Sequence, residues 1–157
     1  MGMTIVSEVI EPGDTIPTKY TGEGADVSPP LTWSGVPAEA VELALIVDDP
    51  DAPGREPWVH WVMYKIPAGT TGLAEGVPKA EMLGDPAGAR QGVNSWPRVG
   101  YGGPMPPPGH GVHHYHFTLY ALDAALPVGA GLTKGELLAA MEAHVLAEAE
   151  LVGTYER

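Results

Sequence analysis

Three segments of the chain read as β-strands, because residues two apart in each would place apolar side chains on a shared face. The segments run from Val41 to Asp49, from Trp58 to Ile66 and from His113 to Leu122. The chain has 21 glycines and 17 prolines among 157 residues, and only 18% of its residues are charged. This composition indicates many turns between short strands and argues against a helical bundle. The sequence therefore predicts a mostly β fold, and its length fits one domain over residues 1–157.

One end of each segment carries polar side chains in phase with the apolar ones. These side chains are Asp49, His60, His113 and Tyr115. Burying an unpaired polar group costs roughly 1 to 3 kcal/mol, so such a set needs partners. Imidazole N–H and phenol O–H groups are donors, and a carboxylate can orient a histidine, so together they suit an oxyanion. The pattern predicts an anion pocket; a hydrogen-bonded structural cluster without a ligand is the alternative.

Strand alternation also assigns faces to these side chains. It places His60 on one face with the large residues Trp58, Val62 and Tyr64. In the third segment it places His113 and Tyr115 on the face opposite that of the intervening residues.

A histidine cluster raises the alternative of a metal site. The cluster comprises His110, His113, His114 and His116, with Asp49 or Asp51 as oxygen ligands. Alternation puts His113 on the face opposite His114 and His116, and the spacing matches no standard zinc motif. No metal and no other cofactor is therefore predicted.

Two long blocks in the same order resemble the signature regions of the phosphatidylethanolamine-binding protein family, specifically its prokaryotic Raf-kinase-inhibitor-like branch. The first block is Asp49-Pro50-Asp51-Ala52-Pro53 with Trp58-Val59-His60-Trp61; the second is Tyr101-Gly102-Gly103-Pro104, Pro106-Pro107-Pro108-Gly109 and Gly111-Val112-His113-His114-Tyr115. The flanks, from Ser28-Pro29-Pro30-Leu31 to the closing segment that ends at Tyr155, also fit the family. The resemblance thus spans nearly the whole chain.

The resemblance implies a β-sandwich with a shallow pocket for phosphate, acetate or a phosphorylated head group. The ligand positions of the family fall on Asp49, His60, His113 and Tyr115, with Asp51, Met105 and Pro106 in the nearby wall. Cis peptide bonds in the first block of family members make Ala52-Pro53 and Glu56-Pro57 the candidates here.

Small-anion binding, in a regulatory role or otherwise, is therefore the predicted function. The first alternative is a protein-interaction module that inhibits a kinase or a protease. The second is a weak hydrolase with Ser28, Ser34 or Ser95 as nucleophile, but none lies in a Gly-x-Ser-x-Gly elbow. No catalytic residue is assigned and the chain is predicted not to be an enzyme. A homodimer is compatible with the resemblance, and Trp96 is a candidate interface residue.

The net charge of −12 disfavours nucleic acid and anionic bilayers as partners. No stretch approaches the roughly 18 apolar residues of a membrane span, and no basic leader precedes the first strand. The chain has no cysteine, so its redox compartment cannot be inferred. A cytoplasmic location without stable membrane insertion is predicted.

The remaining elements are assigned from shorter patterns. Strands are expected from Thr4 to Val9 and from Leu31 to Trp33, and residues 67–105 are read as a long connection. A helix begins at Thr133, where a capping box is formed with Glu136, and is predicted to end near Glu150 with His144 in its second half.

Overall fold

A six-stranded antiparallel sheet forms the centre of the molecule. The structure is a computed structural model that describes residues 2–157. The strands are β1 (Thr4–Val6), β2 (Leu31–Ser34), β3 (Glu42–Asp49), β4 (Trp58–Pro67), β5 (Gly72–Leu73), β6 (Met82–Gly84), β7 (Ala87–Gln91), β8 (His113–Leu122) and β9 (Val145–Tyr155), with one helix, α1 (Lys134–Met141). The large sheet has the order β6-β7-β4-β3-β8-β9, and every pairing in it is antiparallel.

A second sheet of three strands, in the order β1-β2-β5, packs on one face of the large sheet. The main hydrophobic core lies between them. Alternate residues of β3 and β8, such as Leu45 and Phe117, meet Ile5 of β1 and Trp33 of β2 there. This sandwich is the mostly β fold that the sequence predicts.

The outer face of the large sheet is covered by α1 and the loop that precedes it. Leu137 and Met141 of the helix are buried against Ile46, Val62 and Tyr64. The predicted capping box is confirmed: the Glu136 amide donates to the Thr133 hydroxyl at 3.2 Å, and the Thr133 amide donates to the Glu136 carboxylate at 2.9 Å. The helix is therefore anchored at the end that sequence patterning identifies best.

The predicted end of this helix is wrong. It ends at Met141, and Ala143, with a φ of +66°, turns the chain into β9, so the helix is followed by a strand. His144 consequently lies in the turn, where its Nδ1 is 2.8 Å from Asp123 Oδ1. β9 pairs with the whole of β8. Without β9, β8 would lie at the edge of the sheet with unpaired backbone groups.

Two further expectations differ from the structure. The connection between residues 67 and 105 contains β5, β6 and β7 and completes both sheets. Among residues 2–157 the only cis peptide bond is Asp85-Pro86, so neither of the candidate bonds, Ala52-Pro53 and Glu56-Pro57, is cis. Over the same residues, no helix is long and apolar enough to cross a membrane.

Candidate functional site

A cavity of about 280 Å³ opens where β3 ends and β4 and β8 begin, at the edge of the main core. Two further loops close it, one around Trp96 and one with three prolines in a row. Its lining residues are Asp49, Ala52, Pro53, Trp58, His60, Trp96, Met105, Pro106, Pro107, His113 and Tyr115. The four polar side chains that strand patterning singled out are therefore brought together in one place.

His60 reaches this cavity because β4 contains one additional residue there. Val47 of β3 pairs with Trp61, but the next residue, Asp48, pairs with Val59, so His60 has no residue opposite it. Such an additional residue is a β-bulge, and it reverses the faces of the side chains that follow. In a regular strand, His60 would have pointed with Val62 to the outer face.

The sequence prediction for β4 therefore has to be corrected. Val62 and Tyr64 belong to the outer core under α1, whereas Trp58 and His60 line the cavity on the inner side. The shared face predicted for these residues was wrong, although the predicted meeting of His60 with Asp49 is observed. For β8 the alternation is regular, and His113 and Tyr115 are buried on the inner face.

Three side chains form a chain of short hydrogen bonds that runs from the buried end of β3 to the surface. The Asp49 carboxylate accepts from Nδ1 of His113 at 2.6 Å, and its other oxygen accepts from the Asp51 amide at 2.8 Å. The opposite nitrogen of His113, Nε2, lies 2.6 Å from Nδ1 of the exposed His110. Asp49 and His113 are almost completely buried, with relative exposures of 2% and 1%. Asp49 thus fixes the orientation of His113 and the tautomer of its ring.

The His60 ring is held from its other side. Its Nδ1 lies 2.7 Å from the carbonyl oxygen of Gly102, and because a carbonyl can only accept, this nitrogen carries the proton. Burial lowers the pKa of His60, and the bond to Gly102 opposes that effect. His60 is therefore neutral near pH 7, and its Nε2, which makes no hydrogen bond within residues 2–157, is an acceptor.

Tyr115 is a buried donor between the two histidines of the cavity. It lies between the two histidines, with ring centroids 5.1 Å from His60 and 6.5 Å from His113. Its hydroxyl is shielded from solvent, and within residues 2–157 it has no hydrogen-bond partner. Burial raises the pKa of Tyr115, and the carboxylates of Asp49 and Asp51 raise it further, so the hydroxyl keeps its proton.

Two tryptophans form the aromatic wall, and sequence reasoning did not assign them to the site. Trp96 meets Trp58 and His60 edge to face, with centroid distances of 5.5 and 5.1 Å. Trp96, the candidate interface residue, is half-buried and lines the cavity. Gly102 makes room for this ring, since a Cβ there would lie 2.5 Å from Trp96, but a glycine in the sequence does not reveal which side chain packs on it.

The other predicted wall residues divide between the cavity and the surface. Pro106 is buried in the wall and Met105 lines it, as expected. Asp51 does not line the cavity, contrary to expectation: its carboxylate is exposed and accepts from the amide and from Nδ1 of His114, both at 2.8 Å. Asp51 closes the loop after β3 onto β8, because it can accept two hydrogen bonds from one residue there.

The remaining histidines and serines make separate contacts. His116 Nδ1 lies 3.1 Å from Glu150, and no group of three or more His, Cys, Asp or Glu side chains in residues 2–157 is arranged to hold a metal ion. The candidate nucleophiles also contact other groups: Ser28 accepts from the Val77 amide, Ser95 accepts from the Val59 amide, and Ser34 pairs with Thr4.

Comparison with known proteins gives similarity over nearly the full length. The family model for phosphatidylethanolamine-binding protein matches residues 6–156. A UPF0098 protein of Methanothermobacter thermautotrophicus is 54% identical over 142 residues, which cover 90% of this chain and 91% of that protein. The crystal structure of YbcL from E. coli, described as a new member of the mammalian PEBP family, has a TM-score of 0.93 and 35% identity, covering 100% of this chain and 99% of that one. The structure of the PEBP homologue CT736 from Chlamydia trachomatis has a TM-score of 0.88 and 42% identity, with 99% and 98% covered.

Proposed function

Because this chain belongs to the phosphatidylethanolamine-binding protein family, we propose that it binds small molecules through a phosphoryl or carboxylate group held in the cavity between β3, β4 and β8. The observation that carries this proposal is the unpartnered hydroxyl of Tyr115. A buried donor without a partner costs roughly 1 to 3 kcal/mol, and an oxyanion would remove that cost. A phosphoryl or carboxylate oxygen is a strong acceptor for a phenol hydroxyl.

The hydrogen bonds that hold the two histidines favour ligands of a particular kind. Neutral His60 offers an acceptor at Nε2, so a hydrogen phosphate or a phosphomonoester that carries its own proton can donate to it. A fully ionised anion can use His60 only after the ring takes up a proton. His113 can offer Nε2–H to a ligand only when its contact with His110 opens.

We also propose that the chain belongs to the prokaryotic, Raf-kinase-inhibitor-like branch of the family. The archaeal and bacterial origin of the relatives described above supports this assignment. A cytoplasmic location remains a prediction.

Calorimetric titration of inorganic phosphate into wild type and Tyr115→Phe tests the proposal. We expect saturable binding to wild type and at least about tenfold weaker binding to Tyr115→Phe, since a hydrogen bond to a charged group contributes about 1.5 to 3 kcal/mol. Tyr120→Phe is the matched control, because Tyr120 lies on the outer face of the same strand. Equal affinities of wild type and Tyr115→Phe, or no saturable binding at millimolar phosphate, would contradict the proposal.

A further inference from the structure

A second cavity of about 360 Å³ lies next to the first and shares two of its walls. The side chains of Trp96 and Met105 line both cavities. The backbone is shared as well: Gly102 lines the second cavity, while its carbonyl oxygen holds His60 in the first. The two cavities are thus separated by one aromatic ring, one thioether side chain and one peptide group.

The wall around Trp96 is rigid because a buried amide side chain holds its loop. Asn94 Oδ1 accepts from the amides of Trp96 and Arg98 at 2.9 and 3.1 Å, and its Nδ2 donates to the carbonyl of Gly100 at 3.1 Å. Asn94 is only 7% exposed. The positions of Trp96 and of the Arg98 backbone are therefore set before any ligand arrives.

The Met105 side of the wall between the two cavities can change its conformation. Met105 is 41% exposed and packs over Gly22, where a Cβ would lie 2.8 Å from its sulfur. Methionine has three rotatable bonds in its side chain, so a rotation of Met105 can open a passage between the cavities. A ligand longer than phosphate could then extend from one cavity into the other.

The second cavity has basic side chains in its lining, whereas the first has none among residues 2–157. The second is lined by Lys79 and Arg98, which are two of only eight basic residues in a chain of net charge −12. One carboxylate, Asp26, faces them; it lies 3.6 Å from the Lys79 Nζ and also accepts from the Gly103 amide at 2.7 Å. Arg98 is exposed and makes no salt bridge in the part of the chain that the structure describes.

We propose that the second cavity binds a second anionic group of the same ligand. The ligand class is then a small molecule with two oxyanionic groups on a short linker, one against Tyr115 and His60 and the other against Arg98 and Lys79. An arginine fork and a lysine ammonium are suited to a carboxylate or phosphate at a water-accessible site. This inference rests on the proposed anion binding in the first cavity. It adds which chemical group the ligand carries at its other end.

The test compares phosphonates with and without a terminal carboxylate. Phosphonoacetate, 3-phosphonopropionate and 4-phosphonobutyrate are titrated calorimetrically beside methyl-, ethyl- and propylphosphonate. In wild type, at least one linker length should bind about tenfold more tightly with the carboxylate, the effect of one charge-assisted hydrogen bond. That gain should disappear in Arg98→Gln and shrink in Lys79→Gln.

The control variant is Lys19→Gln, which changes the net charge equally but removes a side chain that lines neither cavity. It should keep the full gain, and the affinity for alkylphosphonates should stay the same in all three variants. Equal affinities for the carboxylated and plain series, or a gain that survives both substitutions, would overturn the second subsite alone. Loss of all alkylphosphonate binding in wild type would overturn the proposed function, and the subsite with it.

Discussion

Nδ1 of His110 lies 2.6 Å from Nε2 of His113. The exposed His110 ring therefore contacts the one nitrogen that the buried His113 ring could offer to a ligand in the cavity. The other nitrogen of His113 is committed to Asp49. When His113 is neutral, its Nε2 is an acceptor, and the proton between the two rings belongs to His110. When both rings are protonated, both atoms carry a proton and the contact cannot form. An anion that uses His113 must therefore displace His110.

Removing this competitor should strengthen anion binding. In His110→Ala we expect phosphate affinity to rise several-fold, because a net hydrogen bond of about 0.5 to 1.5 kcal/mol no longer has to be broken. Calorimetric titration measures the change, and His144→Ala, which removes a half-buried histidine paired with Asp123, is the control. Weaker binding by His110→Ala would instead show that His110 donates to the ligand itself.

The affinity for a fully ionised anion should depend on pH through His60. Because burial lowers the pKa of His60, the ring is neutral near pH 7, and a bound anion favours its protonated form. Sulfate affinity should therefore rise as pH falls from 8 to 5.5, by at most about tenfold per pH unit for one coupled proton. Calorimetric titrations across this range measure how steeply sulfate affinity changes with pH, and this dependence should become flatter in His60→Gln. An unchanged slope in that variant would assign the proton to another group.

The Tyr115 hydroxyl should lower the stability of the ligand-free protein. Tyr115→Phe removes a buried donor without a partner and leaves the ring in place, so the free energy of unfolding should increase by about 1 kcal/mol. Urea unfolding without added anions measures this, and a saturating concentration of phosphate should reverse the order of the two proteins. A loss of stability in Tyr115→Phe without anions would mean that the hydroxyl is already satisfied.

Gly102 should tolerate no side chain. A Cβ at this position would lie 2.5 Å from the Trp96 ring, so Gly102→Ala should lower the free energy of unfolding by about 1 to 3 kcal/mol and shift the Trp96 ring. Urea unfolding and tryptophan fluorescence report the two effects. Gly69→Ala is the control, since no atom lies within 4 Å of the added carbon there. Equal effects of the two substitutions would contradict the close packing.

Sequence patterning predicted the strands that build the site because their side chains alternate around one buried face. The strand from His113 to Leu122 has the predicted bounds, and the apolar series through Leu43, Leu45 and Val47 leads to Asp49 as expected. The predicted helix end at Glu150 is wrong because the residues after Val145, which include Leu146, alanines and glutamates, favour a helix locally. Their pairing along β8 is a tertiary interaction that local preference does not show.

Two features of the site have no local signal in the sequence. The bulge at His60 is visible only once β3 fixes the register of β4, since alternation alone assigns this residue to the wrong face. The loop that carries Trp96 contacts the cavity through hydrogen bonds of Asn94 and close packing on Gly102, both of which depend on the folded chain. The alternation of side chains along a strand identifies which strand residues face the site, but it does not identify a loop that closes over them.

The additional residue in β4 makes the cavity depend on the length of that strand as well as on its composition. Substitutions at Val59 or His60 change a side chain but keep the number of residues between Trp58 and Trp61. Deleting Val59 would let the ladder run on regularly, so that His60 would lie opposite Asp48 and point with Val62 to the outer face, while Trp58 would stay opposite Asp49 on the inner side. The ligand site is thus encoded partly by chain length, and a single-codon deletion would take His60 out of it while the main hydrophobic core kept every one of its side chains.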